Sequence, residues 1–202
     1  MSKQKIQPWK VVKSEKGPGL QLFKVRFDHV QNPRNKKEMR RVILETEEWI
    51  NIVAVTPEKK IVVVRQFRFG NGKITTEICG GTVEPNESPK DAAIRELKEE
   101  TGYTTDKWTY LGAVEPNPAF QDNFCHLWLA EDVRRTHDQS LDDGEDILVE
   151  TITLNELKEE IKNGTFTHAL ALCALSRVFD LWSSIEEYKF SLETGTFTKR
   201  TK

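Results

Sequence analysis

Cysteine is scarce in this 202-residue chain: Cys79, Cys125 and Cys173 are odd in number and form no Cys-x-x-Cys pair. That excludes a disulfide framework and points to a reducing compartment, with each cysteine expected to pack as a small buried residue. No apolar run approaches the roughly 20 residues that cross a bilayer. The opening MSKQKIQPWK is polar, without the apolar segment of a signal peptide. The expectation is a soluble, cytoplasmic protein with no membrane partner. Charge of one sign is also missing. Thirty Lys and Arg face 32 Asp and Glu for a net charge of −2, so no broad field exists to grip nucleic acid. The basic end, Lys199-Arg200 and Lys202, is too short to change that. His29, His126, His137 and His168 share no metal-ligand spacing, so surface or packing roles are expected. There is no internal repeat and no low-complexity segment.

What is present is enough for a core. The length suggests one domain with a small appendage, and a chain of this size buries roughly 70% of its unfolded surface. Residues 1–45 read as short strands: WKVVKSE, a turn at KGPG, then LQLFKVRFDHV with period-two alternation. Further strands are expected in MRRVILETEEWINIVAVT, IVVVRQFRFG, ITTEICGG, WTYLGAVEP, NFCHLWLAED and ILVETIT. Helices are expected at LNELKEEIKNG, where LKEE reads as a solvated face, and over the apolar run His168–Tyr188. Strands outnumber helices without regular alternation. The expectation is therefore an α+β fold, a mixed β-sheet sandwiched between α-helices, with a small N-terminal β appendage. The divisions are 1–45, a main domain over 46–188, and a polar tail, 189–202, loose at its end.

The stretch GTVEPNESPKDAAIRELKEETGY, from Gly81 to Tyr103, holds six acidic residues. Ser88 as N-cap, Pro89 at the first position, Asp91 completing a capping box and Gly102 as C-cap predict a helix over 89–101. At about 100° per residue, Glu96, Glu99 and Glu100 share one face, and Ala93, Ile94 and Leu97 supply the buried stripe. Arg95 lies one turn before Glu99. Like charges at Glu96 and Glu100 repel by a few tenths of a kcal/mol. A hard divalent cation such as Mg²⁺, which takes carboxylate oxygens and substrate phosphates, would offset that repulsion. An acidic helix face is more often merely solvated, so the cluster alone does not decide.

The spacing does. Gly81, five residues, Glu87, seven residues, Arg95-Glu96-Leu97, Glu99-Glu100 and Gly102-Tyr103 resemble the Nudix box at every fixed position. Tyr103 stands where the family usually has an aliphatic residue. The resemblance covers about residues 48–185. It implies the Nudix fold and Mg²⁺- or Mn²⁺-dependent hydrolysis of a nucleoside diphosphate linked to another group. It implies Glu96, Glu99 and Glu100 as metal ligands, Glu87 as an assistant, Arg95 as the residue orienting the glutamates, and the Gly80 carbonyl as a further ligand.

The wider chain resembles the ADP-ribose pyrophosphatase branch, whose substrates are nucleoside diphosphate sugars. The N-terminal strands resemble a segment that pairs or swaps in a homodimer. VVVRQFRFG resembles the branch's Gln- and Arg-bearing strand, which implies Arg68, and with it Arg65, as substrate contacts. EICGGTVEPNE resembles its Glu-x-x-Ala-Gly-x-x-Glu motif, with Gly80 replacing alanine. The acidic loop of Asp142, Asp143, Glu145 and Asp146 resembles the one carrying the catalytic base, with Glu145 favoured and Asp143 next. EPNPAFQDNFCHLWLA departs from the branch's usual loop, although Asn117 and Gln121 there are candidate specificity contacts. Trp49 could stack on a base, but packing is its commoner role. ADP-ribose leads, with GDP- or UDP-sugars open. A non-catalytic module binding a nucleotide metabolite is the rival, and mRNA decapping or cleansing of oxidised nucleotides ranks lower.

Overall fold

The computed structural model describes residues 5–182, together with the backbone of 188–191 and 196–199. The chain forms two compact units, residues 1–47 with 115–124, and residues 48–114 with 125–202.

The first unit is an antiparallel sheet of β1 (Lys10–Gly19), β2 (Lys24–Gln31) and β3 (Glu38–Glu45), in that order. The turn expected at KGPG is instead part of β1. The strand pairs with β2 up to Gly19 through an irregularity between Lys16 and Gly19, and the reversal falls where the Leu20 amide bonds to the Phe23 carbonyl. Because β1 is an edge strand, Pro18 removes no ladder bond from a second neighbour. Apolar burial is slight. Val25 is the buried apolar residue, whereas Trp9, Val11, Val12, Leu20, Leu22, Met39 and Val42 are exposed. Ion pairs hold the sheet, with Arg26 bridging Asp28 and Glu45 and the Ser14 hydroxyl bonding to Asp28. The 115–124 segment joins β3 through the Leu44 amide and the Phe120 carbonyl.

The second unit is built on a seven-stranded sheet ordered β12 (Ile147–Ile152), β5 (Ile61–Arg68), β4 (Trp49–Val55), β10 (Cys125–Glu131) and β9 (Lys107–Val114), with β6 (Lys73–Glu77) on β5 and β7 (Gly80–Thr82) on β4. The β4–β10 pair is parallel and the others are antiparallel, so the sheet is mixed. Alternation along β4 feeds two cores. Ile50, Ile52 and Ala54 join Ala92, Ala93 and Leu97 of α1 (Pro89–Thr101) on one face. Val53 and Val55 join Leu157 and Ile161 of α2 (Leu154–Lys162) and Ala171, Ala174 and Leu175 of α3 (Ala169–Ser176) on the other. The expected sandwich of helices around a mixed sheet is what forms. A small pair, β8 (Tyr103–Thr104) with β11 (Arg134–Arg135), follows α1. Among the described residues no helix is long and apolar enough to cross a membrane.

Further local expectations need correction, and one is that Cys173 is exposed, whereas Cys79 and Cys125 are buried as expected. Ile94 is 40% exposed, because the buried stripe runs through Ala93, Leu97, Glu100 and Thr101 and leaves position 94 about 100° away. The LKEE of α2 is not a plain solvated face, since Leu157 is fully buried and Glu160 receives Arg65 at 3.1 Å. Among the described residues, the helix expected after His168 ends at Ser176. The Ala174 carbonyl accepts Arg177 N–H, the Leu175 carbonyl accepts Val178 and Phe179, and Asp180 then accepts Trp182 N–H, turns that close the helix. In the expected loose tail, β13 (Tyr188–Ser191) pairs with β14 (Thr196–Lys199). The expected helical residues 183–187, and the tail's end at 200–202, lie outside the described residues.

Candidate active site

Helix α1 brings the acidic residues together as its local signals require. The Ser88 side chain accepts the Asp91 amide at 3.1 Å, and Gly102, at φ 74°, donates its N–H to the Lys98 carbonyl at 2.8 Å. Arg95 is the hub. Its Nε and Nη2 reach the two oxygens of Glu87 at 2.9 and 3.0 Å, and its Nη1 reaches Glu96 at 2.9 Å and Glu99 at 3.2 Å. Nη2 also donates to the Thr82 carbonyl at 3.0 Å, tying the helix to β7. The Arg95 hydrogen bonds hold the Glu87 carboxyl below the usual range, and Glu87 in turn keeps Arg95 firmly charged.

Glu96 and Glu100 behave in the opposite way. Burial raises Glu96, with Glu145 and Glu99 adding repulsion against the pull of Arg95. Burial, helped by the charges of Glu96 and Glu145, pushes Glu100 up to about 8, against hydrogen bonds from the Cys79 thiol and the Gly80 amide, the latter at 3.2 Å. Two neighbouring carboxyls thus resist ionising because burial strips their hydration and acidic neighbours repel them, a deficit that the Arg95 contact to Glu96 does not make up. A hard divalent cation answers that deficit, and the oxygen-only donor set suits Mg²⁺ or Mn²⁺. Glu96, Glu99, Glu100 and the Gly80 carbonyl could hold it, whereas Glu87 is engaged on both oxygens by Arg95. Among the described residues no three Asp, Glu, His or Cys side chains already converge as a closed cage. Glu96 and Glu99 each give one oxygen to Arg95, which orients them along the same helix face.

Of two adjacent glycines, Gly81 makes room for a carboxylate and Gly80 for the neighbouring strand. A Cβ on Gly81 would fall 2.1 Å from Glu96 Oε1, so β7 passes directly over that carboxylate. A Cβ on Gly80 would meet Asn51 Nδ2 at 2.3 Å and the Ile50 carbonyl at 2.6 Å. The alanine that the resemblance places there does not fit here, because Asn51 and β4 fill the space.

The other candidates separate. Glu145 is exposed, its carboxylate accepts the Asp142 amide at 3.1 Å, and its charge figures among the main influences on Glu96, Glu100 and Arg68. Asp142, Asp143 and Asp146 are exposed in the same loop. Arg68 also feels Glu100, and Glu77 grips it. Arg65 lies an odd number of positions from Arg68 on β5, so it projects from the other face, where Glu150 at 2.7 Å and Glu160 at 3.1 Å hold it. Trp49 packs against the core that α2 and α3 cover. Asn117 and Gln121 belong to the first unit, where the Asn117 carbonyl accepts the Phe120 and Gln121 amides.

Three residues carried no expectation of a place beside the site. Gln139 donates to the Glu100 carbonyl at 2.7 Å and the Ile147 carbonyl at 3.1 Å, and with the Ser140 amide on the Glu99 carbonyl it pins the acidic loop to the end of α1. Glu77 and His168 meet beside Arg68. Glu77 was visible as the first glutamate of EICGGTVEPNE, but nothing local marks Gln139 or His168. A cavity of about 480 Å³ lined by Arg95, Lys98, Glu99, His137, Asp138 and Ser140 adjoins the acidic helix. A cavity of about 580 Å³ lined by Thr56, Lys60, Tyr103, Arg134 and Arg135, among others, shares no residue with the carboxylates. Chemistry, not volume, therefore locates the site.

Comparison with known proteins shows the family. Residues 48–173 match the family described as NUDIX domain. The methanol dehydrogenase activator of Bacillus methanolicus is 32% identical over 154 residues, 76% of this chain and 83% of that protein. The ADP-ribose pyrophosphatase of Bacillus subtilis is 37% identical over 123 residues, 60% of this chain and 66% of that protein. A crystal structure of an ADP compounds hydrolase superposes with a TM-score of 0.77 over 87% of this chain and 95% of the other, at 21% identity, a likeness of fold.

Proposed function

The chain belongs to the Nudix family, and we propose that it is a pyrophosphohydrolase that cleaves nucleoside diphosphate sugars, ADP-ribose first among them, to a nucleoside monophosphate and a sugar phosphate. The observation that carries this is the Glu96–Glu100 pair on α1, Glu100 buried and Glu96 largely so, both resisting ionisation among acidic neighbours. Nudix enzymes generally use divalent metals, and Mg²⁺ or Mn²⁺ is the ion proposed. Glu96, Glu99, Glu100 and the Gly80 carbonyl would hold such an ion, which would supply charge neutralisation of the diphosphate and a more acidic water, its pKa drawn from ~16 toward neutrality.

The chain's own residues supply the rest. Arg95 anchors Glu87 and holds Glu96 and Glu99 near their working positions. Arg68 presents a cationic edge to the diphosphate. Glu145, with Asp143 as the second candidate, accepts the proton of the attacking water. One P–O bond forms from that water, and the bridging P–O bond breaks.

Cys79, Cys125 and Cys173 are free, which supports a cytoplasmic setting. The first unit exposes Val11, Val12, Leu22 and Val42 around a sheet with little core of its own, which supports a homodimer through that sheet. A second reading, a metabolite-binding module that regulates a partner, is favoured by the relative named as an activator. The intact carboxylate set favours catalysis. The test is product release from ADP-ribose, GDP- and UDP-sugars and nucleoside triphosphates, with Mg²⁺ and with chelator. Turnover of a nucleotide sugar that chelator abolishes is expected. No turnover of any substrate would leave the regulatory module.

A further inference from the structure

Glu77 is among the most buried ionisable groups described, 2% exposed at the end of β6. Burial works to raise its pKa, but hydrogen bonds from Arg68 and Thr75 outweigh it and hold the carboxylate charged. Arg68 Nε and Nη2 each reach one Glu77 oxygen at 2.7 Å, the Thr75 hydroxyl donates at 2.6 Å, and His168 Nε2 stands 3.7 Å away. The pair is asymmetric. The carboxylate is enclosed, whereas the Arg68 side chain is 45% exposed. A guanidinium carries five N–H donors and the Glu77 fork uses two, so the Nη1 edge stays available. That edge belongs to a cation already within electrostatic reach of Glu100 and Glu145.

A free arginine side chain carries rotamer entropy that a ligand contact must overcome. A buried, three-way-held carboxylate removes that freedom before any ligand arrives. We propose that Glu77 is a positioning residue that fixes Arg68 so that its Nη1 edge meets the diphosphate of the substrate. The proposal rests on the hydrolase reading given above.

The experiment compares the full-length protein with Glu77→Gln, Arg68→Lys, Arg68→Ala and the double variant Glu77→Gln/Arg68→Ala. ADP-ribose affinity is read by calorimetry in chelator and KM and kcat in Mg²⁺, beside thermal melts. Glu77→Gln and Arg68→Lys are each expected to weaken binding and raise KM roughly tenfold, with a smaller change in kcat. In the Arg68→Ala background, Glu77→Gln is expected to add nothing. Unchanged affinity and KM in Glu77→Gln, or effects that add in the double variant, overturn the proposal. So does a variant whose only change is a lower melting temperature. If Glu77→Gln does not fold, the melt shows it, and wild-type affinity in Arg68→Lys overturns the proposal on its own. Absence of wild-type turnover overturns the hydrolase reading separately, because the chelator arm still compares binding.

Discussion

Gly81→Ala tests the site with a single methyl group. The new Cβ would lie 2.1 Å from Glu96 Oε1, 2.3 Å from Cδ and 2.8 Å from Oε2. All three atoms are at the far end of a flexible side chain, so Glu96 rotates away and the backbone keeps its course. What is lost is the 2.9 Å bond from Arg95 and the position of one carboxylate. A hydrogen bond to a charged group contributes about 1.5–3 kcal/mol. Arg95 is 24% and Glu96 12% exposed, and Arg95 keeps Glu87 and Glu99, so about 1 kcal/mol of stability is expected to go. Removal of one preorganised electrostatic group costs roughly 10²–10³-fold in turnover. Gly80→Ala gives the contrast, since its Cβ would meet the Ile50 backbone carbonyl at 2.6 Å, and backbone yields less easily. The assay pairs Mg²⁺-dependent hydrolysis of ADP-ribose with thermal melts. Gly81→Ala is expected to lose activity far out of proportion to stability, and Gly80→Ala to lose more stability. Wild-type turnover in folded Gly81→Ala would refute the claim that this close approach sets Glu96.

The same two glycines show what a sequence conveys. The spacing from Gly81 to Gly102 lies along one loop and one helix, so capping chemistry and the 100° turn fix α1 at Pro89–Thr101 and put Glu96, Glu99 and Glu100 on one face. The mixed sheet and its covering helices were equally legible, because period-two runs and amphipathic stretches are local. Contacts made by strand register were not. Arg68 and Glu77 meet across the β5–β6 pairing, and Arg65 reaches Glu160 over 95 positions. Alternation along an expected strand puts Arg65 and Arg68 on opposite faces, but which face looks toward Glu77 and which toward Glu160 depends on the strand and helix neighbours. The apolar run after His168 gave no period at which to stop, so its end at Ser176 depended on carbonyls satisfied by the following turn. Gly80 in place of alanine was visible as a departure, but its cause, Asn51 packed against it, comes from the neighbouring strand.

Glu145→Gln is expected to reduce turnover on the order of 10²–10⁴-fold with KM little changed, and Asp143→Asn to reduce it far less; the reverse order in steady-state kinetics would move the base to Asp143. Sedimentation at micromolar concentration is expected to give a dimer, with Val11→Lys/Val42→Lys shifting it toward monomer. A wild-type monomer would remove the role given to the exposed sheet. His168 carries a pH prediction. Burial lowers its pKa from the ordinary 6.5, with Arg68 acting in the same sense and Glu77 opposing. The imidazole is therefore neutral in the fold, where Nδ1 accepts the Ala171 amide at 3.3 Å and caps α3. The unfolded chain takes up this proton first as pH falls, so the stability His168 contributes is complete above 6.5 and declines below it, toward the lowered folded value. His168→Asn keeps an N-cap but removes the titration. Thermal melts between about pH 7 and about pH 5 should fall less steeply in the variant than in the wild type, and parallel profiles would show that the cap does not titrate.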